Sequence, residues 1–273
     1  MFEYEKLMQD ASKKIVVASP QIDLPILNVS FLTGKKYWYQ TVFCAYSLQK
    51  VTPNPIHFTF FDDGSISEVS NIKIQVPHST IISAEEIDSN LNQFLPLEKY
   101  PHLHHKRKVY KHIRKLTDVY TSGDGWKLML DSDMLFWKEP KTMIDWLLNP
   151  KQPFHILDSE TAYGYSFDVM EKFTKTKIYD KINVGALGLH TDMVDFDKLE
   201  YWAKTLEQNY GTSYYLEQAL SAMIIGDKKC IVGNKTDFIV YPSKNQVIER
   251  QGVLQHYVDV SKKWYFEYGW KNV

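Results

Sequence analysis

Two carboxylates one residue apart, Asp131 and Asp133, follow a short hydrophobic run in Leu130-Asp131-Ser132-Asp133-Met134. Residues i and i+2 of an extended segment point to the same side, so both side chains can address one hard cation, and a divalent ion would relieve their mutual repulsion. A solvated Asp-rich turn has the same composition, and the tripeptide alone does not choose between the two. A second group lies in Leu254-Gln255-His256-Tyr257-Val258-Asp259-Val260-Ser261-Lys262-Lys263-Trp264. There an imidazole can complete a metal site, and an ammonium six residues later can meet a phosphate. A third group, Leu32-Thr33-Gly34-Lys35-Lys36-Tyr37, ends an apolar run in a flexible turn beside an aromatic ring able to stack on a base. Residues 105–120 add Lys108, Lys111, Arg114 and Lys115, which can meet an anion or form a solvated helix face.

Bringing these groups together is the task of the elements between them. The apolar spacing predicts a short polar helix over residues 1–13, a brief strand at 15–18, a strand at 28–33 and a helix at 38–49. A strand at 56–61 stops at the turn signal Asp62-Asp63-Gly64, and residues 69–76 and 80–83 read as two more short strands. The stretch up to Leu97 fits a helix or a loop, and residues 105–120 read as one strongly basic helix. Further strands are expected at 126–130, 154–157, 182–189, 230–232 and 238–241, an apolar segment at 134–137, and helices at 140–149 and 212–225. Strands alternating with helices imply an α/β domain whose largely parallel sheet is covered on both faces. Asp131 then sits at the carboxyl end of a central strand, where open α/β sheets bind ligands.

Composition narrows the partners. A net charge of −1 supplies no general field for nucleic acid, so an anion must be met by a local cluster. Aromatic residues make up 14%, with 18 Tyr and 7 Trp, more than a core of this size requires and suited to sugar faces or nucleobases. Cys44 and Cys230 stand alone in regular segments, as reduced core residues do. The mixed-charge N-terminus lacks a signal-peptide apolar core and no run of 18 apolar residues occurs, so a cytoplasmic protein is expected. The 273 residues read as one domain, with 1–27 as an N-terminal extension and 265–273 as an aromatic tail able to cover a site, touch a lipid-linked acceptor or pair with a second copy.

From about residue 28 to 264 the motifs, in order, resemble those of glycosyltransferase family 8, which contains glycogenin and the bacterial lipooligosaccharide galactosyltransferases. The resemblance implies the GT-A fold, a Rossmann-like and mostly parallel central sheet flanked by helices. It also implies transfer of a hexose from a UDP-sugar, with Mn²⁺ or Mg²⁺ and retention of anomeric configuration. In its terms Asp131, Asp133 and His256 hold the metal, with Ser132 between the aspartates, and Lys262 meets the diphosphate. Thr33 and Tyr37 belong to the nucleotide end, where Tyr37 stacks on uracil. Ile182-Asn183-Val184-Gly185 resembles the segment whose Asn reaches the sugar, Glu217-Gln218 the acidic-Gln pair beside the reacting carbon, and Asp158 a carboxylate near the sugar hydroxyls. A basic residue ahead of the metal motif corresponds to Arg114, with Lys111 the next choice, and Tyr163 and Tyr165 offer an acceptor platform. The acceptor would be a saccharide, lipid-linked or protein, with peripheral contact to the inner face of a membrane and an open oligomeric state. Asp259 stands where the family has Gly, Lys263 replaces a Pro, and Glu217 is one methylene longer than the family's Asp. Those departures motivate a rival reading, a nucleotide-sugar-binding module with impaired turnover. A further rival is a phosphohydrolase using Asp131 as nucleophile and Asp133 as acid.

Overall fold

Alternating burial along the central strands shows how the sheet is covered. In the computed structural model, which describes residues 2–67 and 69–273, Leu128 and Leu130 join one apolar cluster while Met129, between them, joins another. That period of two is what a strand buried on both faces requires.

The first half of the chain supplies α1 (Phe2–Ser12), β1 (Leu27–Thr33), α2 (Trp38–Val51), β2 (Ile56–Asp62), α3 (Val69–Gln75), β3 (Ser79–Ile82) and α4 (Ala84–Phe94). Then come α5 (Pro101–Val109), a 3-10 turn at Lys111–Ile113, α6 (Arg114–Thr117), β4 (Trp126–Leu130) and β5 (Met134–Phe136). The second half supplies α7 (Lys141–Leu148), β6 (Phe154–Leu157), α8 (Phe167–Thr174), β7 (Ile182–His190), α9 (Phe196–Tyr210) and α10 (Leu216–Ile225). It closes with β8 (Ile231–Gly233), β9 (Phe238–Val240), α11 (Lys244–Ile248), β10 (Leu254–His256) and α12 (Ser261–Glu267).

Seven strands form the main sheet in the order β3-β2-β1-β4-β7-β6-β8. Pairing is parallel from β3 through β4 and between β6 and β8, and β7 is antiparallel to both its neighbours. β7 therefore starts at the edge where β4 and β6 end. The chain leaves β1 for β2 on one side and returns to β4 on the other, so a topological switch point lies between β1 and β4. A small sheet, β5-β10-β9, adjoins this edge.

One face of the main sheet packs on α4, α5, α9 and α10, through residues such as Leu91, Leu103, Leu206 and Leu220. The other packs on α2, α3 and α7, through Val42, Leu48, Ile72 and Trp146. Each of these side chains contributes about 1.5–3 kcal/mol of burial. A third cluster joins the chain ends: Met8 of α1, Tyr39 and Phe43 of α2, and Tyr265 and Phe266 of α12 pack together. Tyr257 and Tyr265 stack with ring centroids 4.6 Å apart, and Trp270 meets Phe43 edge-on. The start of the aromatic tail is thus core, and α12 is held by the N-terminal helix.

Three sequence expectations need correction. Residues 69–75 are helix, not strand: Ile72 and Val76 are buried four residues apart while Ile74 between them is 66% exposed, which is helical spacing. Residues 15–18 form no strand, although the Val17 amide donates to Gln75 O. The basic stretch 105–120 breaks at Tyr110, where φ −138° and ψ 88° leave the helical region. No helix among the described residues is long and apolar enough to cross a membrane.

Candidate active site

The Asp131–Asp133 segment is the junction between the two sheets, since β4 ends at Leu130 and β5 begins at Met134. Both flanks are fixed by backbone hydrogen bonds: the Asp131 amide donates to Gly185 O at 2.7 Å, and Asp133 O accepts from the Tyr257 amide at 2.9 Å. β5 and β10 pair antiparallel with Met134 opposite His256. This pairing carries a residue distant in sequence to the side of the aspartates.

His256 Nε2 lies 3.3 Å from Asp133 Oδ1 and 3.8 Å from Asp131 Oδ2. One ligand atom from each of the three residues falls within 4.8 Å of the others. Two hard oxygens and a borderline nitrogen so placed fit a Mn²⁺ or Mg²⁺ ion. The imidazole is buried, and its Nδ1 has no hydrogen-bond partner among the described residues. Steric fit joins the Nε2 contact to Asp133 in holding the ring, because it lies over Gly185, where a Cβ would collide with His256 Cε1 and come within 2.8 Å of Met134 Cε.

Two ammonium groups balance the carboxylates. Lys115 Nζ is 2.6 Å from Asp131 Oδ1, and Lys262 Nζ is 3.1 Å from Asp133 Oδ2. Burial alone would raise the Asp133 carboxyl, but the hydrogen bond and charge of His256, joined by Lys262, hold it well below the usual carboxylate range. Burial likewise pulls the Lys115 ammonium down, and the charges of Asp131 and Glu217 more than reverse it.

A cleft of about 550 Å³ opens over this cluster. Asp131, Asp133, His256 and Lys262 line it together with Asp158, Asn183, Gly185, Glu217 and Gln218, so the structure gathers most of the expected residues. Because β7 runs backwards, its first residues reach the same edge as the ends of β4 and β6. Asn183 donates to Asp158 Oδ2 at 2.9 Å and accepts the Gly185 amide at 3.0 Å, while the Ser159 amide donates to Asp158 Oδ1 at 2.7 Å. Gln218 Oε1 is buried without a hydrogen-bond partner among the described residues, as a group kept for a ligand would be. Thr33 and Ser132 do not line the cleft; each is hydrogen-bonded to the Thr41 hydroxyl (2.6 and 2.7 Å), which ties the end of β1 to the metal-type cluster. Tyr37 stands at the start of α2 with its ring half exposed and the Lys36 ammonium 5.0 Å from its centroid.

Other residues lie elsewhere than expected. Arg114 donates to the carbonyls of Asp63 (2.7 Å) and Arg107 (3.3 Å), and Lys111 is exposed on the 3-10 turn. The cation at the cluster is Lys115, which the broken helix turns toward Asp131. Tyr163 is buried, with its hydroxyl on Tyr179 O, and Tyr165 bonds Gly211 O, so neither forms a platform on the cleft. Tyr110, His112, Tyr214 and Tyr215 stand there instead, unforeseen except that Tyr214-Tyr215 come just before Glu217-Gln218.

No family model and no curated protein matches the sequence. Solved structures do match the fold. Apo WbbM, a bifunctional glycosyltransferase, aligns at a TM-score of 0.55 and 9% identity over 89% of this chain and 47% of its own, so the chain spans about half of that protein. Mouse xyloside xylosyltransferase 1 gives 0.57 at 11% over 85% of this chain and 98% of its own. The galactosyltransferase LgtC, in complex with donor and acceptor sugar analogs, gives 0.52 at 14% over 87% and 94%. The fold is that of the GT-A glycosyltransferases.

Two details of this GT-A chain bear on the site. Asp259 has φ 45°, the left-handed region that glycine occupies most cheaply, and its exposed carboxylate lies at the cleft rim near Lys262. Burial pushes Glu217 up to about 7 against the opposing charge of Lys115. A folded-state pKa above the ordinary 4.5 means that the folded chain binds this proton more tightly, so stability is lost as pH rises from about 4.5 to about 7. Glu217→Gln is therefore expected to be more stable than the parent by roughly 1–3 kcal/mol above pH 7, with the difference closing toward pH 4.5. Thermal melts near both ends of that window test this; a difference independent of pH would assign the effect to packing.

Proposed function

We propose that this protein is a metal-dependent glycosyltransferase that moves a hexose from a UDP-sugar to an acceptor hydroxyl with retention of configuration. The observation that carries the reading is the convergence of Asp131, Asp133 and His256 within 4.8 Å, flanked by Lys115 and Lys262. Aspartates at a sheet junction need no such partners for folding alone, and a buried imidazole between two lysine-balanced carboxylates is suited to a cation and a diphosphate together.

A bound Mn²⁺ or Mg²⁺ ion would supply positive charge opposite the diphosphate. Asp131, Asp133 and His256 would hold it. Lys262 offers its ammonium to the departing UDP as the bond between anomeric carbon and phosphate oxygen breaks, and Lys115 can shift between Asp131 and the substrate. Asp158, oriented by Asn183 and Ser159, takes the sugar hydroxyls on its remaining lone pairs, and Tyr37 takes the uracil. Gln218 places its free carbonyl oxygen by the reacting carbon. Glu217, partly protonated near neutral pH, can donate to a hydroxyl as well as accept from one.

Release of UDP from a panel of UDP-hexoses with Mn²⁺, compared with the same reaction under chelator, tests the reading. Turnover is expected only with metal. Equal turnover under chelator would overturn it. Asp259 favours one rival, a module that binds the nucleotide sugar without transferring it: tight, metal-dependent UDP binding with no release from any donor would select that rival. The phosphohydrolase reading expects its Asp-x-Asp on the first strand of a sheet, whereas here the motif follows β4.

A further inference from the structure

The cleft is asymmetric in charge. Its lysines, Lys115 and Lys262, are each already paired with a carboxylate of the metal-type cluster. The cleft is also lined by Asp158, Glu160 and Glu217, and the remaining base there is the imidazole of His112. No lysine or arginine among the lining residues is left to meet an anionic acceptor once a diphosphate has taken the two ammonium groups.

The cleft is aromatic as well. Tyr214 is 69% exposed yet fixed in place, because its carbonyl accepts the Tyr110 hydroxyl at 2.6 Å. That hydroxyl also accepts the Glu217 amide at 3.2 Å, so the Tyr214 loop is tied to the start of α10. His112 fills the angle between the two tyrosines, with centroids 5.3 Å from each. A large ring held open to solvent in a cleft that the exposed Glu160 carboxylate also lines pairs an apolar face with a hydroxyl acceptor, which is the complement of a pyranose.

Resting on the transferase reading, we propose that Tyr214, backed by His112 and Tyr110, forms the acceptor subsite, and that it takes an uncharged pyranose and excludes phosphorylated or pyrophosphate-linked acceptors. The sugar lies with its C–H face on the Tyr214 ring and its hydroxyls toward Glu160, and a phosphate there would meet like charge without a lysine or arginine to balance it.

Saturation-transfer NMR with UDP and Mn²⁺ present tests this without requiring turnover, using methyl pyranosides of the common epimers in both anomeric forms and their 6-phosphates. Signal is expected from one or more neutral glycosides and not from their phosphates. Tyr214→Ala is expected to weaken that binding roughly tenfold and Tyr214→Phe to restore it, since the ring and not the hydroxyl makes the contact. Binding of the phosphates as well as or better than the neutral sugars, no binding by any neutral sugar, or indifference to Tyr214→Ala in a variant that melts like the parent would each overturn the proposal. Tyr214-dependent glycoside binding without UDP release from any donor would leave the subsite standing and refute the transferase reading.

Discussion

Asp133→Asn is expected to lower metal-dependent UDP release roughly 10²–10³-fold. Asp133 is the residue through which the cluster is joined, since one oxygen faces His256 Nε2 at 3.3 Å and the other faces Lys262 Nζ at 3.1 Å. The amide keeps the volume but removes the charge, leaving Lys262 without its anionic partner and the cation site with one carboxylate. Its backbone bond to Tyr257 is untouched, so the β5–β10 pairing and the fold should survive. Single-turnover release of UDP, beside a thermal melt, separates lost chemistry from lost folding. A variant that releases UDP within about threefold of the parent would remove Asp133 from the proposed mechanism.

Gly185→Ala should act on the same cluster without touching its charges. The added methyl group collides with the buried His256 ring, and the Gly185 backbone is tied in place by its carbonyl, which accepts the Asp131 amide at 2.7 Å. The ring is expected to turn, weakening Mn²⁺ affinity by roughly 10–100-fold, the range seen when a ligand's orientation is lost. Overpacking costs about 1–3 kcal/mol of stability besides. Adding His256→Ala to Gly185→Ala removes the closest of these collisions, so the double variant should regain part of that stability while remaining unable to hold the ion. Calorimetric titration with Mn²⁺ and denaturant melts of the four members of the cycle measure both parts. A Gly185→Ala protein that binds Mn²⁺ like the parent would show that the imidazole is not held by this fit.

Local chemistry was legible in the sequence where function and folding demand the same residues. Asp131-Ser132-Asp133 had to follow a buried strand, and Trp126–Leu130 shows that strand plainly in its apolar run. The strands expected at 56–61 and 154–157 were equally clear from composition and turn signals, and they are found at 56–62 and 154–157. Strand direction was not legible. Nothing in the apolar pattern of 182–190 says that β7 runs against its neighbours, because a strand buried on both faces looks the same in either sense. Residues 69–75 misled for a related reason: Ile72, Ile74 and Val76 alternate like a strand, and only tertiary contact decides that Ile74 faces solvent. The exchange of Arg114 for Lys115 follows from the break at Tyr110, which rotates everything after it and leaves little mark on composition. The Tyr110–Tyr214 bond behind the cleft wall is likewise a contact between distant loops, outside the reach of local pattern.

The reversal of β7 confers a freedom on the molecule as well as a site. With its beginning at the working rim, its end at His190 and the Gly123–Gly125 turn opposite lie at the far rim, where Thr191 bonds the Gly125 backbone. None of the cleft-lining residues comes from that far rim. Protein engineers thus have a place to graft an affinity handle, a fluorophore or a fusion partner while leaving the working rim untouched.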